Sequence, residues 1–258
     1  SAVAREASAG LVLCINGSPD ERNRDDGRLE LAARRAIEAG AALAYVNLVG
    51  GQDELVFDGD SLIVSDAGDL IARAARFTPE LLVTDLDLPA AAGHNAGGFD
   101  AQDGTTMSVE RLMTPARPPS GLEELPTRVA PALEECEEIW GALVLGTRDY
   151  VRKNGFRSVI LGLSGGIDSA LVATIARDAL GADAVHVVGM PSRYSSEGSV
   201  ADAAELARRQ GLQWQALPIA PMVEAYEKAF AETDAGGLHG LAEEKLQARV
   251  RGTALMAF

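Results

Sequence analysis

The stretch Ser164 to Ser169, with the sequence Ser-Gly-Gly-Ile-Asp-Ser, has the residue types from which a phosphate site can be built. It follows an apolar run typical of a strand and precedes apolar residues at helical spacing, which predicts a strand, a glycine turn and a helix. Two glycines let backbone N–H groups point inward at an anion, and the positive end of a helix favours that anion. The hydroxyl groups of the two serines would add donors. The spacing therefore predicts a site that holds a pyrophosphate group and then releases it.

Asp168 is the unexpected member of this turn. The turn has no lysine, as a Walker-type loop would require, and its glycine spacing does not fit a dinucleotide-binding fingerprint. A carboxylate about 4 Å from a phosphate charge costs about 4 kcal/mol at an effective dielectric constant of roughly 20. Two interpretations are open: either Asp168 points away and caps the helix, or a Mg²⁺ ion lies between the two negative charges.

The elements around this turn predict an α/β protein. From about residue 130, strand-length apolar runs alternate with helical patterns of about 10–14 residues, which indicates a parallel sheet. Before residue 88 the sequence predicts a strand at 10–18, a helix, and strands at 42–51, 61–66, 70–77 and 81–88. The stretch from about 88 to 125 has no periodicity and is rich in alanine, glycine and proline, as linkers are. We therefore predict two parts and a linker, with the boundaries 1–88, 89–128 and 129–258.

Composition narrows the class of protein. A net charge of −15 argues against a nucleic-acid-binding protein, whereas small anionic substrates need only a local site. The two cysteines, Cys14 and Cys136, are too few for a disulfide framework or a zinc cluster. Neither an apolar stretch of about 18 residues nor a signal pattern occurs, so we expect a cytoplasmic enzyme with small-molecule substrates and no nucleic-acid or membrane partner. The chain begins at Ser1 and ends at Phe258 within an apolar helical pattern, which suggests a fragment.

Several stretches resemble a known family. Residues 161–196 resemble the nucleotide loop of the ATP pyrophosphatases, and 190–196 (MPSRYSS) and 241–252 (LAEEKLQARVRG) resemble the glutamine-dependent NAD⁺ synthetases among them. Residues 14–24 and 44–68 are similar to the last third of a nitrilase-type glutaminase domain. The resemblance implies the C-terminal part of a nitrilase-like α-β-β-α domain, followed by a doubly wound parallel-sheet domain of the adenine-nucleotide α-hydrolase-like (ATP pyrophosphatase) type.

The resemblance also implies an activity. In this family ATP is cleaved between its α and β phosphates, the nicotinate carboxylate of deamido-NAD⁺ is adenylated, and ammonia from glutamine displaces AMP. The implied cofactors are ATP and Mg²⁺, the full-length parent is expected to be a homo-oligomer, and the fragment is expected to be inactive alone. Another ATP-pyrophosphatase amidotransferase, or a non-catalytic nucleotide-binding or assembly module, stays open as an alternative.

Site residues follow from the resemblance by position. Deamido-NAD⁺ would contact Lys245, Arg249 and Arg251, with Lys245 at a position where the family usually has asparagine. Glutamine would contact Ser18 and Arg24, and the family's Glu-Lys-Cys catalytic set would precede Ser1. Asp168 would hold Mg²⁺. The residues expected to bind ATP are Gly162, Leu163, Ser164, Gly165, Gly166, Ile167, Asp168, Ser169, Met190 and Arg193.

Two features of the first part have no assigned chemistry. Cys14 lies at the end of an apolar strand without a neighbouring base in the sequence, so we interpret it as a structural cysteine rather than a nucleophile. Asp53, Glu54 and Asp58 give the stretch 50–59 the character of an acidic hairpin, and their role is left open.

Overall fold

The computed structural model describes residues 1–21, 25–89, 97–100, 106–112, 126–233 and 240–258. These residues form two compact units, Ser1–Ala142 and Leu143–Phe258. Helix α3 (Glu135–Lys153) spans the boundary between the units and follows the other elements of the first unit in the chain. None of the helices in the described ranges is long and apolar enough to cross a lipid bilayer.

The first unit is built around a four-stranded sheet. Its elements before α3 are α1 (Ala2–Glu6), β1 (Leu11–Asn16), α2 (Asp25–Ala39), β2 (Ala42–Asn47), β3 (Val49–Gln52), β4 (Leu55–Asp58), β5 (Leu62–Val64), β6 (Leu70–Arg73), β7 (Gly97–Asp100) and β8 (Thr106–Val109). The strand order is β1-β2-β5-β6, with β1 and β2 parallel and the other pairs antiparallel. Small residues of α2, Ala32 and Ala36, let the helix pack closely on Leu43, Leu62 and Val64.

The structure changes three of the predicted elements of this unit. The strand predicted at 42–51 is divided at Leu48, because β3 leaves the main sheet and pairs with β4 in a separate antiparallel hairpin. Residues 81–88 show the alternating exposure of a strand, but they pair with no strand among the described residues. The predicted linker contains an antiparallel pair, β7 and β8.

The second unit has helices on both faces of a parallel sheet. It continues after α3 with β9 (Val159–Gly162), α4 (Ile167–Leu180), β10 (Val185–Gly189), α5 (Glu197–Gln210), β11 (Gln213–Ala216), α6 (Ala220–Ala231) and α7 (Leu241–Met256). The strand order is β11-β10-β9, all parallel, so the three strands end at the same edge of the sheet. Val187 packs with α4 and α5, whereas the next residue, Val188, packs with α6 and α7. The predicted alternation of strands and helices is confirmed.

Buried ion pairs between aspartate and arginine residues connect the elements of the first unit. Asp58 and Asp60 are fully buried. Arg28 donates to Asp58 at 2.8 Å and to Asp60 at 3.3 Å, and Arg73 donates to Asp60 at 2.6 and 3.0 Å. Burial lowers the pKa of Arg28, but the hydrogen bond with Asp58 and the charges of Asp58 and Asp60 together raise that pKa above its ordinary value. The buried guanidinium group therefore remains charged.

Arg76 extends this ionic network to the neighbouring segments. Its guanidinium group, which is 2% exposed, donates to Asp58 at 3.1 Å, to Asp20 at 2.7 Å and to Glu138 at 3.2 Å. Asp20 belongs to the segment after β1, and Glu138 lies in the first part of α3. Asp58, whose role the sequence leaves open, is therefore a structural residue that connects the β3–β4 hairpin to α2 and, through Arg76, to α3.

We expect Asp58→Ala to destabilise the first unit strongly. Removing this carboxylate leaves the buried groups of Arg28 and Arg76 short of a partner, which typically costs about 3–5 kcal/mol in the free energy of unfolding. Urea denaturation measures this loss in the free energy of unfolding. The transition is monitored by the fluorescence of Trp140, which lies in the first unit, and all variants carry Trp214→Phe so that only this tryptophan contributes.

The matched control is Glu54→Ala in the same hairpin. Glu54 is exposed, so its removal should change the free energy of unfolding by less than about 0.5 kcal/mol. Equal small losses for Asp58→Ala and Glu54→Ala would contradict a structural role for the buried carboxylate.

Candidate nucleotide site

The loop from Gly162 to Ser169, here called the phosphate loop, joins β9 to α4. Helix α4 begins directly after Gly166, its N-cap residue, which has an extended backbone with φ −87° and ψ 161°. The first hydrogen bond of the helix runs from the N–H of Ala170 to the carbonyl of Gly166 at 3.1 Å. The N–H groups of the three residues before Ala170 consequently have no partner within the helix, which is the arrangement that binds anions at helix N-termini.

The two serines of the phosphate loop bond to each other and to the loop backbone. The hydroxyl of Ser169 donates to the Gly166 carbonyl at 3.0 Å and accepts the N–H of Ser164 at 3.2 Å. The two hydroxyl oxygens lie 3.0 Å apart, and Ser164 Oγ accepts the N–H of Gly166 at 3.2 Å. Because the Ser169 proton goes to Gly166, Ser164 is the donor between the hydroxyl groups. In this geometry the serines stabilise the loop, and backbone N–H groups are the donors left for an anion.

The two adjacent glycines of the loop, Gly165 and Gly166, have different functions. Gly165 has φ +84°, which favours glycine, and a Cβ atom at this position would lie 2.1 Å from the carbonyl oxygen of Ser199 in the first turn of α5. Gly166 has a negative φ, and a Cβ atom there would meet only Ser164 Oγ at 3.4 Å. The close approach of the loop to α5 therefore requires Gly165 and not Gly166.

Asp168 does not cap α4. The N-cap residue is Gly166, no side chain caps the helix, and Asp168 is an exposed residue of the first turn. The interpretation of Asp168 as a helix cap is thus wrong. No group of three or more His, Cys, Asp or Glu side chains that could hold a metal ion occurs in the described part of the chain. Mg²⁺, however, is commonly held by one or two carboxylates together with substrate phosphates, so a single carboxylate beside the anion donors fits this ion.

A cavity of about 340 Å³ lies beside the phosphate loop, at the edge where β9 and β10 end. One wall is apolar and is formed by Val188, Met190, Ala203 and Trp214. The indole ring of Trp214 lies against Gly189, where a Cβ atom would come within 2.3 Å of the ring. The cavity thus has an apolar wall and adjoins the phosphate loop, and an apolar lining with a few nearby polar groups is typical of ligand sites.

Known proteins share this arrangement of two parts. Residues 6–93 match the carbon-nitrogen hydrolase family, and residues 139–258 match the NAD synthase family. The glutamine-dependent NAD(+) synthetase of Aquifex aeolicus is 40% identical over 257 residues, and that of Xylella fastidiosa (strain Temecula1) is 42% identical over 249. The structure of the Acinetobacter baumannii enzyme in complex with ADP aligns over 98% of this chain, with a TM-score of 0.73 and 37% identity.

This chain is a homologue of the glutamine-dependent NAD(+) synthetases. The alignment with the Aquifex synthetase covers 98% of this chain and 44% of that protein, and the alignment with the Xylella synthetase covers 96% of this chain and 40% of that protein. The chain therefore spans less than half the length of these relatives. The expected fold class is confirmed, since a nitrilase-like part precedes an NAD synthase part. The boundaries 1–88, 89–128 and 129–258 stay a prediction.

The structure brings only some of the predicted synthetase residues to the cavity. Arg251 lines it and donates from Nε to the carbonyl oxygen of Met190 at 3.3 Å. Arg249 is exposed and lines a different groove, of about 620 Å³, between α6 and α7. Lys245 lies four residues earlier, on the same helix face as Arg249. The residues predicted to bind ATP that line the cavity are Gly162, Leu163, Ser164 and Met190.

Arg193, predicted to bind ATP, is not among the residues that line the cavity. Its guanidinium group forms ion pairs with Glu227 at 2.8 Å and with Glu243. The hydrogen bond with Glu243 raises the pKa of Arg193 above its ordinary value. A direct contact of Arg193 with ATP stays a prediction.

The predicted glutamine residues lie in the first unit. Ser18 is partly buried, and its N–H donates to the side-chain oxygen of Asn47 at 2.8 Å. Ser18 and Cys14 line a cavity of about 360 Å³, whose lining in the described part of the chain contains no carboxylate, histidine or lysine. Among the described residues, Cys14 therefore has no base in this cavity, in agreement with a structural cysteine. Arg24 lies outside the described residues.

Sequence reasoning did not identify Trp214 as part of the site. The sequence does contain a signal for this residue. Trp214 lies in β11, the strand that follows β9 and β10 along the chain. In a parallel sheet this strand adjoins β10, whose final glycine leaves room for a large ring. Sequence alone could not show that the ring reaches across that glycine.

We expect Gly165→Ala to destabilise the second unit more than Gly181→Ala does. Both glycines have a positive φ, +84° and +89°, which side chains rarely adopt, so alanine is strained at either position by about 1–3 kcal/mol. Only at position 165 does the added Cβ also collide with the Ser199 backbone, since no atom lies within 4 Å of the Cβ position at residue 181. Urea denaturation followed by Trp214 fluorescence, with Trp140→Phe in the background, measures the difference. Equal losses would mean that the contact with α5 is not restrictive.

Proposed function

We propose that this chain contributes the ATP-binding part of an enzyme that amidates deamido-NAD⁺ to NAD⁺, with ammonia derived from glutamine. The observation that carries the proposal is the phosphate loop beside an apolar cavity, in a homologue of proteins named glutamine-dependent NAD(+) synthetase. The related Acinetobacter baumannii enzyme was solved with ADP, which supports a nucleotide as the ligand of this fold.

The phosphate loop would bind the leaving group of the reaction. When the nicotinate carboxylate attacks the α-phosphorus of ATP, pyrophosphate leaves and carries negative charge. Backbone N–H groups at the start of α4 would stabilise that charge without reorganisation, because the serine hydrogen bonds already fix the loop. Asp168 would hold Mg²⁺, which when bound supplies a counter-charge to the phosphates.

The apolar wall would bind the base of the nucleotide. Trp214 offers a flat aromatic surface, and Met190 and Val188 complete an apolar lining. Such a surface can bind a purine ring, because two aromatic rings attract each other when they stack in an offset arrangement. Arg251 adds a positive charge at the same cavity, where an anionic substrate would be favoured.

Other parts of the proposal rest on the resemblance. Contacts of deamido-NAD⁺ with Lys245 and Arg249, and of glutamine with Ser18 and Arg24, stay predictions. So do the cytoplasmic location and the homo-oligomeric state. Another ATP-pyrophosphatase amidotransferase is disfavoured, because residues 6–93 match the carbon-nitrogen hydrolases.

The activity is tested in the full-length protein that carries this sequence. With deamido-NAD⁺, ATP, Mg²⁺ and either glutamine or ammonia, we expect NAD⁺, AMP and pyrophosphate to form in equal amounts. Replacing deamido-NAD⁺ by other carboxylic acids should abolish AMP formation. Release of ADP and phosphate, or amidation of another acid in preference, would refute the proposed reaction.

We expect Asp168→Asn to slow adenylation by a factor of about 10²–10³, because one charged metal contact at the leaving group is lost. The rate should recover partly at high Mg²⁺ concentration. The melting temperature should fall by only a few degrees, since Asp168 does not cap α4 and an exposed charge in the first turn contributes about 0.3–1 kcal/mol. The assay is the rate of AMP formation against Mg²⁺ concentration.

Asp178→Asn is the matched control, because Asp178 is exposed near the other end of α4 and loses the same charge. It should leave both the rate and the Mg²⁺ dependence unchanged. A wild-type rate and Mg²⁺ dependence in Asp168→Asn would remove Asp168 from the metal site.

A further inference from the structure

The segment after β10, Met190 to Ser196, forms part of the cavity wall. Its middle is a tight turn, in which the N–H of Ser195 donates to the Ser192 carbonyl at 3.1 Å and the N–H of Ser192 donates to Ser195 Oγ at 3.0 Å. Pro191 and Ser195 line the cavity. The position of this turn therefore decides the shape of one side of the nucleotide site.

Among the described residues, hydrogen bonds with neighbouring elements hold the two ends of the segment. At its start, the Pro191 carbonyl accepts the N–H of Ile219 at 3.0 Å. At its end, Ser196 caps α5 by accepting the N–H of Ser199 at 3.1 Å. Between these points the residues at the tip, Arg193 and Tyr194, connect the turn to α6 and α7 through their side chains.

Four side chains form this connection, here called the Arg193 cluster: Arg193, Tyr194, Glu227 and Glu243. Arg193 binds both carboxylate oxygens of Glu227, at 2.8 and 3.2 Å, and one oxygen of Glu243. The hydroxyl of Tyr194 donates to that same oxygen of Glu243 at 2.6 Å. The guanidinium carbon of Arg193 also lies 5.0 Å from the centre of the Tyr194 ring.

The arrangement of charges favours a stable connection. A single exposed ion pair contributes little to stability, but a bidentate arginine–carboxylate pair within a network contributes more. The side chain of Arg193 is 45% exposed, whereas the side chains of Glu227 and Glu243 are 25% and 23% exposed. The two glutamates are therefore about three-quarters buried. The turn is thus fixed to α6 and α7 by side chains that do not themselves line the cavity.

We infer that Glu227 and Glu243 are positioning residues for nucleotide binding. Acting through Arg193 and Tyr194, they hold the turn Ser192–Ser195 against the cavity, so that Pro191 and Ser195 remain in place beside the nucleoside. This inference rests on the proposed function, since it assumes that the cavity binds ATP. It gives Arg193 an indirect role, in place of the direct contact with ATP that the resemblance implies.

The two roles of Arg193 predict effects of opposite sign. If Arg193 contacts the phosphates, neutralising Glu227 or Glu243 removes a competing negative charge and ATP binds more tightly. If the carboxylates position the turn, the same changes weaken binding of ATP. Glu227→Gln and Glu243→Gln keep the shape of the side chain and remove the charge, so the sign of the change distinguishes the roles.

The experiment measures the Kd of ATP with Mg²⁺ by calorimetry, in the full-length protein that carries this sequence. We expect Glu227→Gln and Glu243→Gln each to weaken ATP binding by about three- to tenfold, while the protein stays folded at the temperature of the measurement. Pyrophosphate, which lacks the nucleoside, should bind both variants as tightly as the wild type does. In an Arg193→Met background, Glu227→Gln should have no further effect.

Glu205→Gln is the matched control. Glu205 forms ion pairs with Arg208 and Arg209 on α5, and the variant removes one exposed charge without touching the turn. Its ATP affinity should equal that of the wild type. Unchanged or tighter ATP binding in the Glu227 and Glu243 variants, or an equal loss of pyrophosphate binding, would overturn the inference. A wild-type chain that binds no ATP would instead overturn the proposed function and, with it, this role of the cluster.

Discussion

The contact between Gly165 and Ser199 is the constraint on which the nucleotide site depends. A backbone atom of α5 occupies the space in which any side chain at residue 165 would lie. The turn after β9 can therefore approach the first turn of α5, while its own helix begins two residues later. The N–H donors of α4, the exposed carboxylate of Asp168 and the cavity at the strand ends are brought together because this one position has no side chain.

The two units handle charge in opposite ways. In the first unit, carboxylates are buried and each is matched by arginines, so that Asp58, Asp60 and Arg76 stabilise the protein and are withdrawn from solvent. In the second unit, the charged groups near the cavity are exposed or half-buried, and the phosphate loop relies on backbone dipoles instead. Paired buried charge suits a structural function, whereas accessible donors suit a ligand that arrives and leaves.

Much of the fold and part of the site could be predicted from sequence. Alternating strands and helices are local patterns, and the Ser-Gly-Gly-x-Asp-Ser stretch carries its chemistry within six consecutive residues. Pairing between strands that are distant in the sequence is harder to predict. Nothing local shows that β3 leaves the sheet after Leu48, or that 81–88 lacks a paired strand among the described residues. The stretch 50–59 has the character of an acidic hairpin, but nothing local shows that Asp58 is buried, because its arginine partners are 18 and 30 residues away.

Two features of the site follow from simple geometry. Arg249 and Arg251 are two residues apart in a helix, which places them about 200° apart around its axis, so Arg251 lines the cavity while Arg249 lines a different groove. Aspartate is common at N-cap positions, which makes a cap a natural interpretation of Asp168, but the N-cap residue is Gly166, two positions earlier, so Asp168 lies in the first turn of the helix.

The serine pair in the phosphate loop has a consequence for the kinetics of binding. Because Ser164 and Ser169 satisfy one another and the loop backbone, the loop has its final conformation before any anion arrives. The conformational entropy of the loop is lost during folding and not during association, so binding carries little ordering cost. Association is then limited by diffusion and orientation, and differences in affinity among anions are expressed in how long each one stays bound.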